Sequence, residues 1–259
     1  MVVDTAHASL THAAIVAGLA TFDPDVTVAG AILNRVASPR HGAEVARGLA
    51  QLGIPVLGQI PRTESIFVPS RHLGLVPAGE WEDSATKVAG LGDLIAEYVD
   101  LDAVMDLAAT APGLDVEPWD PAAALESAGW QGHPFGESPL VGMFAGRAFT
   151  FRYPETTEML VAAGFRVVDV DPLTDRRLPD GIQGLYLGGG FPQMHATDLE
   201  TNSELADDVR SHAEAGMPIV AECAGLLYLC RHLDGHEMAG VLPMLSLIHI
   251  SEPTRQAEI

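Results

Sequence analysis

Basic residues are scarce in this chain: 14 Lys and Arg stand against 35 Asp and Glu, a formal net charge of -21. So acidic a polypeptide repels phosphate backbones and anionic lipid surfaces, so neither nucleic acid nor a membrane is an expected partner. The charge says nothing about a small substrate. Cysteine is equally sparse, with two residues, Cys223 and Cys230, in different surroundings. That makes no disulfide framework, and a reducing cytoplasm is the expected compartment. No apolar run reaches the ~20 residues of a membrane span, and nothing at the start reads as a signal peptide. A phosphate-binding loop of the form G-x-x-x-x-G-K-[ST] is missing, as are internal repeats and low-complexity segments.

What is present is apolar and regularly patterned. The 259 residues are 47% hydrophobic, with a mean hydropathy of +0.19, enough for two domains with cores of their own. Met1–Asp4 reads as the end of a buried strand. Ser9 to about Ala20 reads as a helix capped by Ser9, Val26–Leu33 as a strand and Pro39–Leu52 as an amphipathic helix. A strand over Ile54–Ile60 ends in Pro61-Arg62, and helices follow over Trp81–Val99 and Leu101–Ala109. Strand–helix alternation with short loops predicts a parallel, doubly wound sheet with its sites at strand carboxyl ends, where Asp4, Asn34 and Pro61 lie. Between Thr110 and Ser138 the pattern dissolves into Pro, Gly, Trp and acidic residues, a linker or edge excursion. A second α/β unit begins at Pro139–Phe144. It continues through Ala148–Phe151, a helix over Pro154–Ala163, strands at Arg166–Val170 and Leu185–Leu187, and a helix over about Asp198–Ala215. The expected division is 1–110, linker 111–138, and 139–244.

Two loops of the second unit carry chemistry. Pro218-Ile219-Val220-Ala221-Glu222-Cys223-Ala224-Gly225-Leu226-Leu227 predicts a strand, a sharp turn bearing Cys223, and a helix. Such a junction lifts the turn residue above the sheet and sets it at a helix N-terminus, which favours a thiolate. Gly225 lets the helix pack close to the strand. Upstream, Leu187-Gly188-Gly189-Gly190-Phe191-Pro192 follows another apolar strand and can aim backbone N–H groups at an oxyanion. A lone cysteine after a strand is commonly a small buried hydrophobe. Joined to the three glycines, it points to acyl transfer through a thioester. Cys230, seven positions on along the helix, is expected to be packing.

Four stretches resemble cobyrinic acid a,c-diamide synthase, the hydrogenobyrinic acid enzyme of aerobic pathways. They are Ala29–Val36 with Ser38 and Arg40-His41, Pro69-Ser70-Arg71-His72-Leu73-Gly74-Leu75-Val76-Pro77, Leu187–Pro192, and Ala221–Leu226. The Ser70–Leu75 stretch is the most discriminating of them. The resemblance implies a partial ATP-binding domain like dethiobiotin synthetase, a partial class I glutaminase domain, and ATP- and glutamine-dependent amidation of two corrin carboxylates. It implies ATP and Mg²⁺ as cofactors, glutamine and a corrin as substrates, and allows a homodimer. Cys223 would attack the glutamine amide, with Gly189, Gly190 and Ala224 supplying oxyanion donors. Asn34 would meet the adenine edge and Pro61 flank it, while Asp4 would lie near phosphate and Mg²⁺ or simply cap a helix. Asn34-Arg35 also reads as a turn satisfying its own backbone. Ser70, Arg71 and His72 would face the polycarboxylate, Arg71 by charge-assisted pairing, although His72 serves equally well as a loop tie. No residue is assigned as a metal ligand.

Departures from the family pattern are expected at both ends. The phosphate loop would lie before Met1. Residues 245–259 break from the alanine-rich acidic style and resemble a translated sequencing adaptor, so they are set aside as a non-native tail. The family's catalytic histidine would lie beyond Cys223; His195, His232, His236 and His249 are not given that role. A polypeptide of these 259 residues is therefore expected to be inactive by itself. Two alternatives remain open, another two-domain amidotransferase such as cobyric acid synthase, or a non-catalytic nucleotide- or corrin-binding module.

Overall fold

A computed structural model describes residues 1–63, 76–77, 83–133 and 138–246. Ser70, Arg71, His72 and His249 lie outside the described residues. The chain divides into two compact units, Met1–Val116 and residues 117 onward.

The first unit is a parallel sheet of three strands in the order β1-β2-β3, with β1 at Val2–Asp4, β2 at Ala31–Val36 and β3 at Val56–Pro61. Helices α1 (Thr11–Phe22) and α2 (Pro39–Ala50) pack together. Val3, Val16, Leu33, Val45 and Leu49 are buried between helices and sheet. Ser38 caps α2, its hydroxyl accepting from His41 N at 3.2 Å, with Pro39 at the first helical position. The helix expected to start at Ser9 starts at Thr11 instead. Ser9 contributes only its carbonyl, which accepts from His12 N, and its hydroxyl caps nothing. Helices α3 (Ser84–Tyr98) and α4 (Leu101–Ala109) follow. Asp100 caps α4 by accepting from Ala103 N at 2.9 Å.

The second unit opens with α5 (Pro121–Ser127), a helix inside the stretch read as a linker. Asp120 accepts from Ala122 N at 2.8 Å and Pro121 supplies the first helical residue, a cap signal of full strength in a short segment. The main sheet is parallel in the order β5-β4-β6-β7: β4 Leu140–Phe144, β5 Arg166–Val170, β6 Ile182–Leu187 and β7 Ile219–Ala221. Helix α6 (Pro154–Ala162) joins β4 to β5 and packs on α5. The strand expected over Ala148–Phe151 reduces to a single bridge between Phe151 and Gly189.

The helix expected over 198–215 is broken into α7 (Ala196–Thr201) and α8 (Ser203–Glu214) at Asn202. Asn202 is 4% exposed and donates its amide to the carbonyls of Pro172 (2.8 Å) and Asp175 (2.7 Å). A continuous helix would carry that amide away from two buried acceptors, and the break keeps them satisfied. Helix α9 (Ala224–Leu229) closes the layer, followed by a small sheet of β8 (His232–Leu233), β9 (His236–Glu237) and β10 (Leu245–Ser246).

Phe144 anchors the second core. It is fully buried and meets Phe149 and Tyr228 edge to face, with ring centroids 5.1 and 5.2 Å away. Phe144→Ala is expected to cost about 3–5 kcal/mol, read as a lowered urea midpoint for the second unit with an unchanged transition slope.

Candidate active site

The carboxyl end of the second sheet builds the nucleophile's surroundings from backbone. β6 and β7 pair in register, Leu185 with Ile219 and Leu187 with Ala221. Pairing persists one residue further, where Glu222 N donates to Leu187 O at 3.0 Å. At Cys223 the chain turns through φ 49°, ψ -111°, and α9 begins on the next residue. A non-glycine residue in that region stores on the order of 1–3 kcal/mol and persists only where its neighbours over-determine it.

The neighbours do so through Gly225. Its N–H is shared by the carbonyls of Gly188 (3.0 Å) and Glu222 (2.9 Å), which ties the elbow to the first glycine of the upstream loop. A Cβ on Gly225 would strike the Leu187 carbonyl and side chain. The glycine-rich loop is packed in the same manner. A side chain on Gly190 would strike the Ala148 carbonyl and the Phe149 backbone. These glycines answer a need for close approach; none of Gly188, Gly189 and Gly190 has positive φ.

That packing narrows the expected oxyanion donors. Gly189 N donates to Phe151 O at 3.3 Å, and Gly189 O accepts from Phe151 N at 3.0 Å, so the Gly189 amide is engaged in the bridge. The N–H groups of Gly190 and Ala224 have no acceptor among the described residues. Cys223 is exposed, whereas Cys230 is buried and donates its thiol to Leu226 O at 3.3 Å. Burial pushes the Cys230 thiol up from its ordinary value. Since α9 has only six residues, its dipole is a weaker influence on Cys223 than a long helix would supply.

Sequence reasoning missed two features here. Phe151 was read as a strand residue, although its backbone is what occupies Gly189. Tyr186 donates to Glu222 Oε1 at 2.8 Å beside the nucleophile, and no local pattern announces a bond across 36 residues.

In the first unit, Asp4, Asn34 and Pro61 lie at adjacent strand ends: Asp4 pairs with Asn34, and Val36 with Pro61. Thr5 locks Asn34 in place, its N and its hydroxyl both donating to Asn34 O at 2.9 Å. The Asn34 carboxamide oxygen accepts from Arg35 N at 2.9 Å, and Arg35 has φ 62°, so Asn34 satisfies its neighbour's backbone, within β2 rather than at a turn. The carboxamide NH₂ has no acceptor among the described residues. Asp4 accepts from Ala6 N at 3.0 Å and from Arg35 Nη1 at 3.0 Å. The Ala6 bond closes a turn directly after β1, and since α1 begins at Thr11, Asp4 caps no helix. The Ala6 N–H first, and the Arg35 cation next among the favourable contacts, hold the Asp4 carboxyl below its ordinary value. No group of three or more His, Cys, Asp or Glu among the described residues is arranged to hold a metal ion. None of their helices is long and apolar enough to cross a membrane.

Residues 141–257 match the CobB/CobQ-like glutamine amidotransferase domain, and residues 6–76 match the CobQ/CobB/MinD/ParA nucleotide binding domain. The two matches fall one in each compact unit. Among curated proteins the chain is similar to a,c-diamide synthases. It is 49% identical over 245 residues to the hydrogenobyrinate a,c-diamide synthase of Thermobifida fusca, covering 93% of this chain and 51% of that protein. The Streptomyces coelicolor enzyme of the same name is 43% identical, with 93% and 55% covered. The cobyrinate a,c-diamide synthase of Magnetococcus marinus is 37% identical, with 96% and 53% covered. The chain spans about half the length of the curated relatives it matches. No solved structure matches it.

Two outcomes follow from the geometry. Gly225→Ala should destabilise the second unit by about 1–3 kcal/mol in thermal unfolding and expose Cys230 to thiol reagents. Because its folded pKa is depressed, the Asp4 carboxylate's contribution is present above its unfolded value and lost as pH falls through the folded one. Its carboxyl titration, followed by NMR, should have a midpoint below 3.8. Arg35→Ala should move that midpoint only part of the way back, since the Ala6 N–H is the larger cause.

Proposed function

We propose that the protein carrying this chain amidates the a and c carboxylates of hydrogenobyrinate or cobyrinate, drawing nitrogen from glutamine and energy from ATP with Mg²⁺. The observation that carries this reading is Cys223, held at φ 49° on a strand–helix elbow whose Gly225 amide is bonded to the glycine-rich loop. Kinship with the a,c-diamide synthases supports the corrin substrate. The division of roles at 1–110, 111–138 and 139–244, cytoplasmic residence and a homodimer belong to the same reading.

Cys223, as a thiolate, adds to the side-chain amide carbon of glutamine. Charge developing on the amide oxygen is met by the N–H groups of Gly190 and Ala224, fixed donors that need no reorganisation. The amine of the tetrahedral adduct takes a proton from water and leaves as ammonia, giving a glutamyl thioester that water then hydrolyses to glutamate and the free thiol. Asn34 would hold the adenine edge through its carboxamide NH₂, with the Pro61 ring alongside. When bound, ATP would supply the activation that turns a poor carboxylate electrophile into one that ammonia attacks. Asp4 would sit near the phosphates, with the Arg35 cation beside it keeping the carboxylate ionised. Ser70, Arg71 and His72 would contact the polycarboxylate substrate, with Arg71 supplying the charge.

The test is made on the protein that carries this chain. Cys223→Ala is expected to lower glutamine-dependent amidation by about 10³-fold or more while ammonium-driven amidation survives, both followed by mass spectrometry of the corrin. Glutamine-dependent product at the parent rate from the Cys223→Ala protein would overturn the assignment.

A further inference from the structure

The thioester chemistry makes no use of one hydrogen-bonded pair beside the nucleophile. Tyr186 stands on β6 one residue before Leu187, Glu222 directly precedes Cys223, and the phenol donates to Glu222 Oε1 at 2.8 Å. Tyr186 is in register with Val220 on β7, so Tyr186 and Glu222 meet diagonally on one face of the sheet. It is the face turned away from the main core. Leu185 and Leu187 flank Tyr186 on β6 and are buried in that core, whereas Val220 is 59% exposed. Burial, and then the Glu222 carboxylate, raise the Tyr186 phenol above its ordinary value, which keeps it a donor.

Glu222 is exposed, and its Oε2 has no hydrogen-bond partner among the described residues. A carboxylate fixed through one oxygen and open at the other is an oriented acceptor for a cation. Free glutamine carries such a cation, its α-ammonium group, four bonds from the amide carbon that the thiol attacks. The Cα atoms of Glu222 and Cys223 are neighbours in the chain, about 3.8 Å apart. We propose that Glu222, oriented by Tyr186, binds the α-ammonium group of the amino-acid substrate and so selects free glutamine at Cys223. This rests on the glutaminase reading above. Glu222 is then a substrate-binding residue and Tyr186 a positioning residue.

The test reads local charge without requiring turnover. The same thiolate attacks aminoethyl and sulfonatoethyl methanethiosulfonates, one cationic and one anionic, forming a mixed disulfide and expelling methanesulfinate, so the ratio of their rates cancels the ionisation of the thiol. Glu222→Gln keeps an acceptor for Tyr186 and removes the charge. The cation-to-anion ratio at Cys223 should fall about fivefold or more in Glu222→Gln, and partway in Tyr186→Phe. Slow labelling of Cys230 and unchanged thermal unfolding verify that the fold is intact. In the protein carrying the chain, Glu222→Gln should raise KM for glutamine with little change in kcat. A ratio in Glu222→Gln within about twofold of the parent overturns the inference. A lowered ratio in a protein whose Cys223 takes no glutamine-analogue electrophile keeps the oriented cation acceptor and overturns the glutaminase reading instead.

Discussion

The Gly225 amide proton, shared between the carbonyls of Gly188 and Glu222, fixes how near the elbow stands to the glycine-rich loop. Everything else in the second site is arranged around that distance. The missing Cβ at Gly225 allows α9 to sit against the Leu187 carbonyl, and the missing Cβ at Gly190 allows the loop to lie on the Ala148–Phe149 backbone. With the loop and helix so placed, two amides have no acceptor among the described residues, those of Gly190 and Ala224. The strain at Cys223 is therefore sustained by the sheet: three ladder registers between β6 and β7, and the extra bond from Glu222 to Leu187, leave the backbone no lower-energy route into α9.

Much of this was legible in the residues because it is local. An apolar run of strand length, a glycine two residues past a cysteine, and three successive glycines after another strand each carry their own steric meaning. The cap of α2 was equally local, Ser38 followed by Pro39. What escaped had partners far apart in the chain. Asn202 breaks a helix because Pro172 and Asp175 need an amide; Gly189 loses its donor to Phe151; Tyr186 finds Glu222. Neither periodicity nor propensity encodes such pairings, since each depends on which strands become neighbours. Ser9 shows the opposite error: a good cap residue stood near the start of α1, but the loop from β1 used its backbone and left the hydroxyl idle.

The first unit makes its strand-end shelf from side chains that police one another. Thr5 holds Asn34 by the carbonyl, Arg35 occupies the carboxamide oxygen, and the carboxamide NH₂ has no acceptor among the described residues. One residue thus both ties down its neighbour's backbone and leaves a single donor open.

The Asp4–Arg35 contact looks like an ordinary surface ion pair, with both partners about half exposed. It is nevertheless directional along the chain. Asp4 spends its other oxygen on the Ala6 N–H, which only an acceptor can serve, and Arg35 occupies a left-handed backbone position inside a strand. Exchanging the two residues would keep the attraction and forfeit the turn that carries the chain from β1 toward α1. The pair has no mirror image: a carboxylate and a guanidinium placed the other way round would attract equally and hold the backbone less well.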